Sequence, residues 1–144
     1  MVVRRLVVPL AVLFLLGFPS IANAEILISF IRYNPPGPDT GSNLSLNKEW
    51  VTIHNNGKRT KALSGWRLHD QSHHRYTFPS FSLCGGCSVR VHTGSGTNGA
   101  ANLYWGSGNY IWNNTGDKAT LVKKTGVIRD TCAYTGTSLG YKLC

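Results

Sequence analysis

Short runs of alternating apolar and polar residues, punctuated by Gly, Pro and Asn, are the main pattern of the chain. Side chains that alternate in polarity with period two are typical of a strand with one face toward a core. The runs that suit a strand are residues 26–31, 50–53, 61–69, 76–78, 88–92, 110–112, 119–123 and 127–129. No stretch shows the 3.6-residue period of an amphipathic helix. The pattern predicts an all-β sandwich or barrel.

Two turn signals stand out between these predicted strands. Asn55-Asn56-Gly57 is the strongest short hairpin signal in the chain. The second lies in Tyr110 to Val122, where strand-like residues flank the block 113–117. Asn and Gly tolerate positive φ, and Asp can accept hydrogen bonds from nearby backbone N–H groups. The block therefore predicts a tight turn, with these structural residues: Asn114, Gly116 and Asp117.

A glycine-rich passage from Thr93 to Asn109 is too long for a hairpin and too aromatic for a linker. Long loops in compact domains are often functional, so its aromatic residues are a candidate ligand surface. That surface comprises Tyr104 and Trp105 of the passage, together with Tyr110 just beyond it. The alternative for Trp105 is core packing. Core packing is what we expect of the other tryptophans: Trp50, Trp66 and Trp112.

The first 24 residues have the pattern of a secretory signal peptide. Arg4 and Arg5 precede an apolar run, Leu6 to Phe18, and Ala22-Asn23-Ala24 is a small-x-small cleavage signal. The alternative is a membrane anchor, but the run is shorter than the ~20 residues that a spanning helix needs. We expect cleavage after Ala24, a single domain over residues 25–144, and a secreted, monomeric product.

The charge of the chain suggests an anionic partner. It has fifteen Lys and Arg and six Asp and Glu residues, and loss of the signal peptide would remove two of the basic ones, leaving +7. Such a field favours encounter with nucleic acid, teichoic-type polymers or acidic lipid surfaces. The alternative is that the charge only keeps a secreted domain soluble. The cations are spread along the chain and form no single stripe in the sequence.

All four cysteines, Cys84, Cys87, Cys132 and Cys144, lie in the part predicted to be exported, so disulfides are expected. Four cysteines allow three pairings, and the sequence alone does not select one. We favour Cys84 with Cys87 and Cys132 with Cys144. The Cys-Gly-Gly-Cys stretch also fits a redox pair or half of a metal site. No helical pattern follows Cys87 to support the redox reading, however, and the wide spacing of the other two cysteines disfavours zinc.

With these elements in place, the sequence resembles the lamin tail domain family, an immunoglobulin-like β-sandwich found in nuclear lamins and in secreted bacterial proteins. The resemblance covers residues 25 to about 134. Five pieces carry it in order: EWVTIHN (49–55), LSGWRL (63–68), YTFP (76–79), SVRVHTG (88–94) and WNNTGDKATL (112–121). Each piece is weak alone, but five in order over one domain are specific.

The resemblance implies a non-catalytic domain used for interaction or attachment, without catalytic residues or a cofactor. Lamins place this domain behind a coiled-coil rod, whereas this sequence shows a signal peptide, so the secreted bacterial branch is the closer likeness. Cys132 fits a position that is often cysteine in that branch, which supports its pairing with Cys144. The resemblance leaves the partner open.

Residues His69-Asp70-Gln71-Ser72-His73-His74 combine ligand types for zinc or copper. If 67–70 and 75–78 form a hairpin, however, the polar residues between them are an ordinary exposed tip. For hydrolysis, Gly94-Ser95-Gly96 lacks the nucleophile-elbow pattern. Six acidic residues, with Asp117 and Asp130 at turns or strand ends, offer no glycosidase pair. We therefore predict neither a metal site nor an enzyme.

Two binding hypotheses follow. In the first, Lys and Arg contact the phosphates of nucleic acid while its bases stack on Tyr104, Trp105 and Tyr110. In the second, the same aromatic residues stack on the sugars of a cell-wall or extracellular polysaccharide, with a weaker dependence on salt.

Overall fold

A computed structural model describes residues 25–144, and the predicted signal peptide lies outside the described residues. Each strand alternates buried and more exposed positions, as in Trp50–Asn55, because one face packs on a core. The elements in chain order are β1 Ile26–Arg32, α1 Asn43–Leu46, β2 Trp50–Asn55, β3 Lys61–Ala62, β4 Arg67–His69, β5 Arg75–Thr77, β6 Ser82–Leu83, β7 Ser88–His92, β8 Asn102–Tyr104, β9 Gly116–Val122, β10 Ile128–Thr135 and β11 Tyr141–Leu143.

Two sheets make up the body of the domain. One has five strands in the order β11-β1-β2-β7-β8, and the other has four in the order β10-β9-β4-β5. Strands β3 and β6 form a separate pair. Neighbouring strands are antiparallel except β7 and β8, which are parallel. The predicted all-β, immunoglobulin-like sandwich is confirmed.

The core lies between the inner faces of the two sheets. Trp112 is its largest side chain and is 2% exposed. Its indole packs edge-on against Trp105, whose ring in turn contacts Tyr76. Each large apolar side chain in such a core contributes roughly 1.5–3 kcal/mol. Further buried apolar residues come from both sheets: Ile28, Ile31, Val51, Ile53, Leu68, Val89, Val91, Ala119 and Leu121.

Two predictions of local structure are wrong, and buried polar side chains explain both. Residues 110–112 form no strand, because the N–H groups of Ile111 and Trp112 donate to the buried carboxylate of Glu49 and not to a strand. Asn55-Asn56-Gly57 makes no hairpin, since β2 pairs with β1 and β7. The Asn55 side chain is buried and donates to the carbonyls of Arg59 and Leu83, which redirects the chain.

Two other predictions need correction, and one short helix adds to the strands. Trp50 is not in the core; its side chain lies on the outer face of the five-stranded sheet, where it contacts Arg90. The passage 93–109 is not all loop, because Asn102–Tyr104 pairs with β7 as a parallel strand. The polar stretch 39–47 contains the short helix Asn43–Leu46, which Ser42 caps by accepting from the N–H of Ser45.

The four cysteines form two disulfides, Cys84–Cys87 and Cys132–Cys144. The first closes the loop between β6 and β7. The second joins β10, in the four-stranded sheet, to the residue that follows β11, in the five-stranded sheet. It therefore links the two layers of the sandwich.

Gly116→Val is expected to destabilise the domain by roughly 2–3 kcal/mol. Gly116 has φ +149, and a Cβ there would lie 3.0 Å from the carbonyl oxygen of Tyr134. A β-branched side chain is strained at positive φ and would press on that backbone. Urea unfolding measures the effect, with Lys118→Val, at an exposed position of the same strand, as the control. Equal stability of the two variants would contradict this role of Gly116.

Candidate functional site

The outer face of the five-stranded sheet carries a continuous row of large side chains. Residues directly opposite one another in a sheet lie on the same face. The register places Tyr141 opposite Arg32, Arg32 opposite Trp50, Trp50 opposite His92, and His92 opposite Tyr104. The row therefore contains one residue from each of the five strands.

A second row runs alongside the first. In it Phe30 pairs with Leu143 on one side and Thr52 on the other, and Arg90 lies opposite Thr52. We call five residues of these two rows the aromatic–arginine face: Phe30, Arg32, Trp50, Arg90 and Tyr141. A shallow depression lies beside Arg90 and is lined by Thr52, Ser88, Ala101 and Asn102 as well.

Three rings of this face stack across neighbouring strands. The centroid of Phe30 lies 5.5 Å from that of Tyr141 and 6.0 Å from that of Trp50, with interplanar angles of 18° and 24°. Such pairs add roughly 0.5–1.5 kcal/mol beyond the area they bury. The stacked rings form the aromatic surface against which the guanidinium groups of Arg32 and Arg90 pack.

The guanidinium of Arg32 packs against all three rings. Its Cζ lies 5.2 Å from the centroid of Trp50, 5.9 Å from Tyr141 and 6.0 Å from Phe30. Arg90 approaches Trp50 as well, at 5.0 Å. Cation–π contacts of this kind hold a guanidinium in one orientation. Two oriented guanidinium groups therefore flank a single indole ring.

The charges of this face have no acidic counterpart. Within residues 25–144, the salt bridges are Lys61–Glu25 at 2.5 Å and the ion pair that His74 forms with Asp70 when protonated, so neither arginine of the face takes part in one. The Nε of Arg32 is buried without a hydrogen-bond partner, as are those of Arg67 and Arg129, so only the terminal guanidinium nitrogens of Arg32 are open to an external anion. Guanidinium groups without a carboxylate partner are suited to bind an external anion.

The acidic residues are mostly directed inward. Three of the six are buried: Glu49, Asp70 and Asp117. A fourth, Asp130, accepts a hydrogen bond from the backbone of Ile28, and a fifth, Glu25, pairs with Lys61. The surface is consequently more cationic than the net charge indicates.

Glu49 connects the five-stranded sheet to the aromatic passage that precedes β9. It is 0% exposed, and its Oε1 accepts from the Thr93 hydroxyl at 2.6 Å and from the N–H groups of Ile111 and Trp112 at 2.9 and 3.3 Å. Burial raises the pKa of Glu49 from 4.5 to about 7, although these three hydrogen bonds oppose the shift. Its Oε2 is buried and has no partner among the described residues.

The aromatic residues singled out from the sequence do not form one surface. Tyr104 stacks on His92 at 5.1 Å and also packs against Gly96, where a Cβ would lie only 2.4 Å from the ring. Trp105 packs against the core through Trp112. The Tyr110 hydroxyl is 2.6 Å from that of Ser45. Of the three, Tyr104 alone lies in the outer-face row, and its ring is already in contact with His92 and Gly96.

The histidine-rich turn, residues 69–74, is held by hydrogen bonds between its own residues. Arg67–His69 and Arg75–Thr77 pair as a hairpin, and residues between them form its tip. Buried Asp70 accepts from both the backbone N–H and the Nδ1 of His74, the latter at 2.5 Å. Within residues 25–144 no group of three or more His, Cys, Asp or Glu residues is placed to hold a metal ion.

The residues of the predicted turn lie where β9 begins. Asn114 is in a turn, whereas Gly116 and Asp117 belong to the strand. The buried carboxylate of Asp117 accepts from the N–H groups of Asn113 and Lys118, and from that of Gln71 in the histidine-rich turn. Asp117 therefore ties two connections of the four-stranded sheet together.

Sequence reasoning missed most of the aromatic–arginine face. The pairs Phe30/Arg32, Trp50/Thr52 and Arg90/His92 each occupy alternate positions of a strand, opposite in phase to the buried residues. Aromatic and arginine side chains at the outward positions of three strands were the available signal. The strand order needed to bring them together was not available from the sequence.

Two packed, mainly antiparallel sheets define an immunoglobulin-like domain, and one of them carries the aromatic–arginine face on its outer side. The family model of the lamin tail domain matches residues 19–136, and the chain belongs to that family. The family is non-enzymatic. No curated protein is similar enough to the chain to count as a match.

Two observations bear on the compartment. The two disulfides are consistent with an oxidising, extracellular location. Between residues 25 and 144, no helix is both long and apolar enough to cross a membrane.

Proposed function

We propose that this protein is a secreted, monomeric, non-catalytic binding domain for an anionic polymer, and that single-stranded nucleic acid is the polymer its aromatic–arginine face fits best. The observation that carries the proposal is the placement of Arg32 and Arg90 on either side of Trp50, without a carboxylate partner. Guanidinium groups so fixed present paired donors to phosphate oxygens.

The same geometry favours nucleic acid over a neutral polysaccharide. Sugar rings stack on open aromatic faces, whereas the guanidinium of Arg32 already lies against the rings of Phe30, Trp50 and Tyr141. Nucleic-acid bases stack on guanidinium planes as well as on aromatic rings, and phosphates need the cations. A single strand therefore uses the arginines in two ways, for its phosphates and for base stacking, whereas a neutral glucan offers them no charge.

Fluorescence anisotropy with three ligands tests the proposal: a dye-labelled dT20 oligonucleotide, a glycerol-phosphate polymer and a neutral glucan. We expect dT20 to bind more tightly than the other two ligands at low salt. The logarithm of its binding constant should fall linearly with the logarithm of the salt concentration, because binding releases counterions from the strand. Equal binding of the phosphate polymer would mean that the bases contribute nothing. Tight, salt-independent binding of the glucan, or no binding of dT20 at low salt, would overturn the proposal.

A further inference from the structure

One edge of the aromatic–arginine face is formed by residues outside the matched family domain. The family match ends at residue 136, and residues 137–144, the tail segment, follow it. This segment carries β11, which adds to β1 at the edge of the five-stranded sheet. Tyr141 of β11 lies directly opposite Arg32.

The tail segment is fixed to the sandwich at several points. The Thr137 N–H donates to the Tyr33 hydroxyl, and the N–H groups of Tyr33 and Asn34 both donate to the carbonyl of Gly140. Gly140 has φ +68, and a Cβ there would lie only 1.9 Å from the carbonyl oxygen of Asn34. Glycine is therefore required for this close approach.

A disulfide holds the far end of the segment. Cys144 is bonded to Cys132 of β10, and its N–H donates to the carbonyl of Ser29 in β1. Fixed at both ends, the segment holds the ring of Tyr141 against Phe30 and 5.9 Å from the guanidinium of Arg32. Without it, β1 would become an edge strand and Arg32 would lose one of its three aromatic contacts.

We infer that the tail segment is part of the ligand-binding face and that Tyr141 is a positioning residue, which sets the orientation of Arg32 for a phosphate of the bound strand. The inference rests on the proposed function. It adds that a segment outside the family domain tunes affinity, and that the Cys132–Cys144 disulfide is needed for full binding. The Cys84–Cys87 disulfide, which closes the β6–β7 loop, has no such role.

Anisotropy titration of the secreted product of the full chain with dT20 tests this inference. Tyr141→Ala is expected to weaken binding about 5- to 10-fold, the equivalent of one lost cation–π contact. Tyr141→Phe keeps the ring and is expected to stay within about twofold of the wild type. In an Arg32→Ala background, Tyr141→Ala is expected to have almost no further effect, because Tyr141 acts through Arg32.

The disulfides supply the matched comparison. Paired serine substitution of Cys132 and Cys144 is expected to weaken binding about as much as Tyr141→Ala and to speed hydrogen exchange at the amides of Tyr33 and Asn34. Paired serine substitution of Cys84 and Cys87 is expected to change neither. If the variant that lacks the Cys132–Cys144 disulfide fails to fold, Tyr141→Ala still tests the inference.

The outcomes separate the inference from the proposed function. Absence of binding by the wild type would overturn the proposed function, and the inference with it. Binding by the wild type that is unchanged in Tyr141→Ala would overturn the inference alone, as would additive losses in the Arg32→Ala background.

Discussion

Replacement of Glu49 by alanine is expected to lower the free energy of unfolding by roughly 3–5 kcal/mol, a large fraction of the total stability of a typical domain. The change would leave three buried donors without an acceptor: the Thr93 hydroxyl and the N–H groups of Ile111 and Trp112. It would also open a cavity beside Trp112, the largest side chain of the core. Urea unfolding at pH 5 measures the loss.

Glu49→Gln is the matched control, because it keeps Oε1 as an acceptor and removes the ionisation. The folded-state pKa of Glu49 is raised to about 7, above the usual 4.5. The stability associated with the protonated form is therefore fully present below about pH 4.5 and is lost as pH rises through 7. Relative to Glu49→Gln, the wild type should lose about 3 kcal/mol across that window.

The difference between the wild type and Glu49→Gln removes the contributions of other titrating groups. Glu25 in particular has a pKa lowered by its hydrogen bond to Lys61, and it acts in the opposite direction. If the two proteins keep the same stability difference from pH 4 to pH 8, Glu49 does not titrate in this window. Full stability of Glu49→Ala would show that the three donors find other partners.

The sequence predicted those parts of the fold that depend on local pattern. The stretches 50–53 and 88–92 alternate in polarity because one side of each strand is buried, and both are strands in the structure. Local chemistry is sufficient where neighbouring residues decide the conformation.

Prediction from the sequence failed where a polar group from a distant part of the chain determines the local backbone conformation. Ile111 and Trp112 have strand-like side chains, but the carboxylate that binds their N–H groups belongs to Glu49, which is 62 residues from Ile111. The sequence predicts Trp50 in the core because tryptophan side chains are highly buried on average. Its position beside Arg32 depends on pairing between β1 and β2. The aromatic–arginine face depends on this pairing and also on the pairing of β1 with β11, a strand from the other end of the domain.

The second large effect concerns Arg32 and Arg90. Their joint replacement by alanine is expected to weaken dT20 binding about 30- to 150-fold, on the basis of roughly 1–1.5 kcal/mol for each of the two charged contacts. The salt dependence should become shallower by about 1.4 in log–log slope, because two phosphate contacts are lost from a single strand. Stability should fall by only about 1–2 kcal/mol, because cation–π contacts with Trp50 are lost but neither residue has a salt-bridge partner within residues 25–144.

The matched control removes the same charge from the opposite side of the sandwich. Arg67 and Arg75 lie on β4 and β5, where the intervening buried residues Leu68 and Tyr76 face the core. Their joint replacement by alanine lowers the net charge by the same two units on the outer face of the four-stranded sheet. A general electrostatic attraction would respond equally to either pair.

The most direct measurement is therefore the dT20 affinity of these two double variants, determined side by side at one low salt concentration. Binding through the aromatic–arginine face predicts a loss of about 30-fold or more for Arg32→Ala with Arg90→Ala, and of no more than about threefold for Arg67→Ala with Arg75→Ala. Equal losses in the two variants would contradict it.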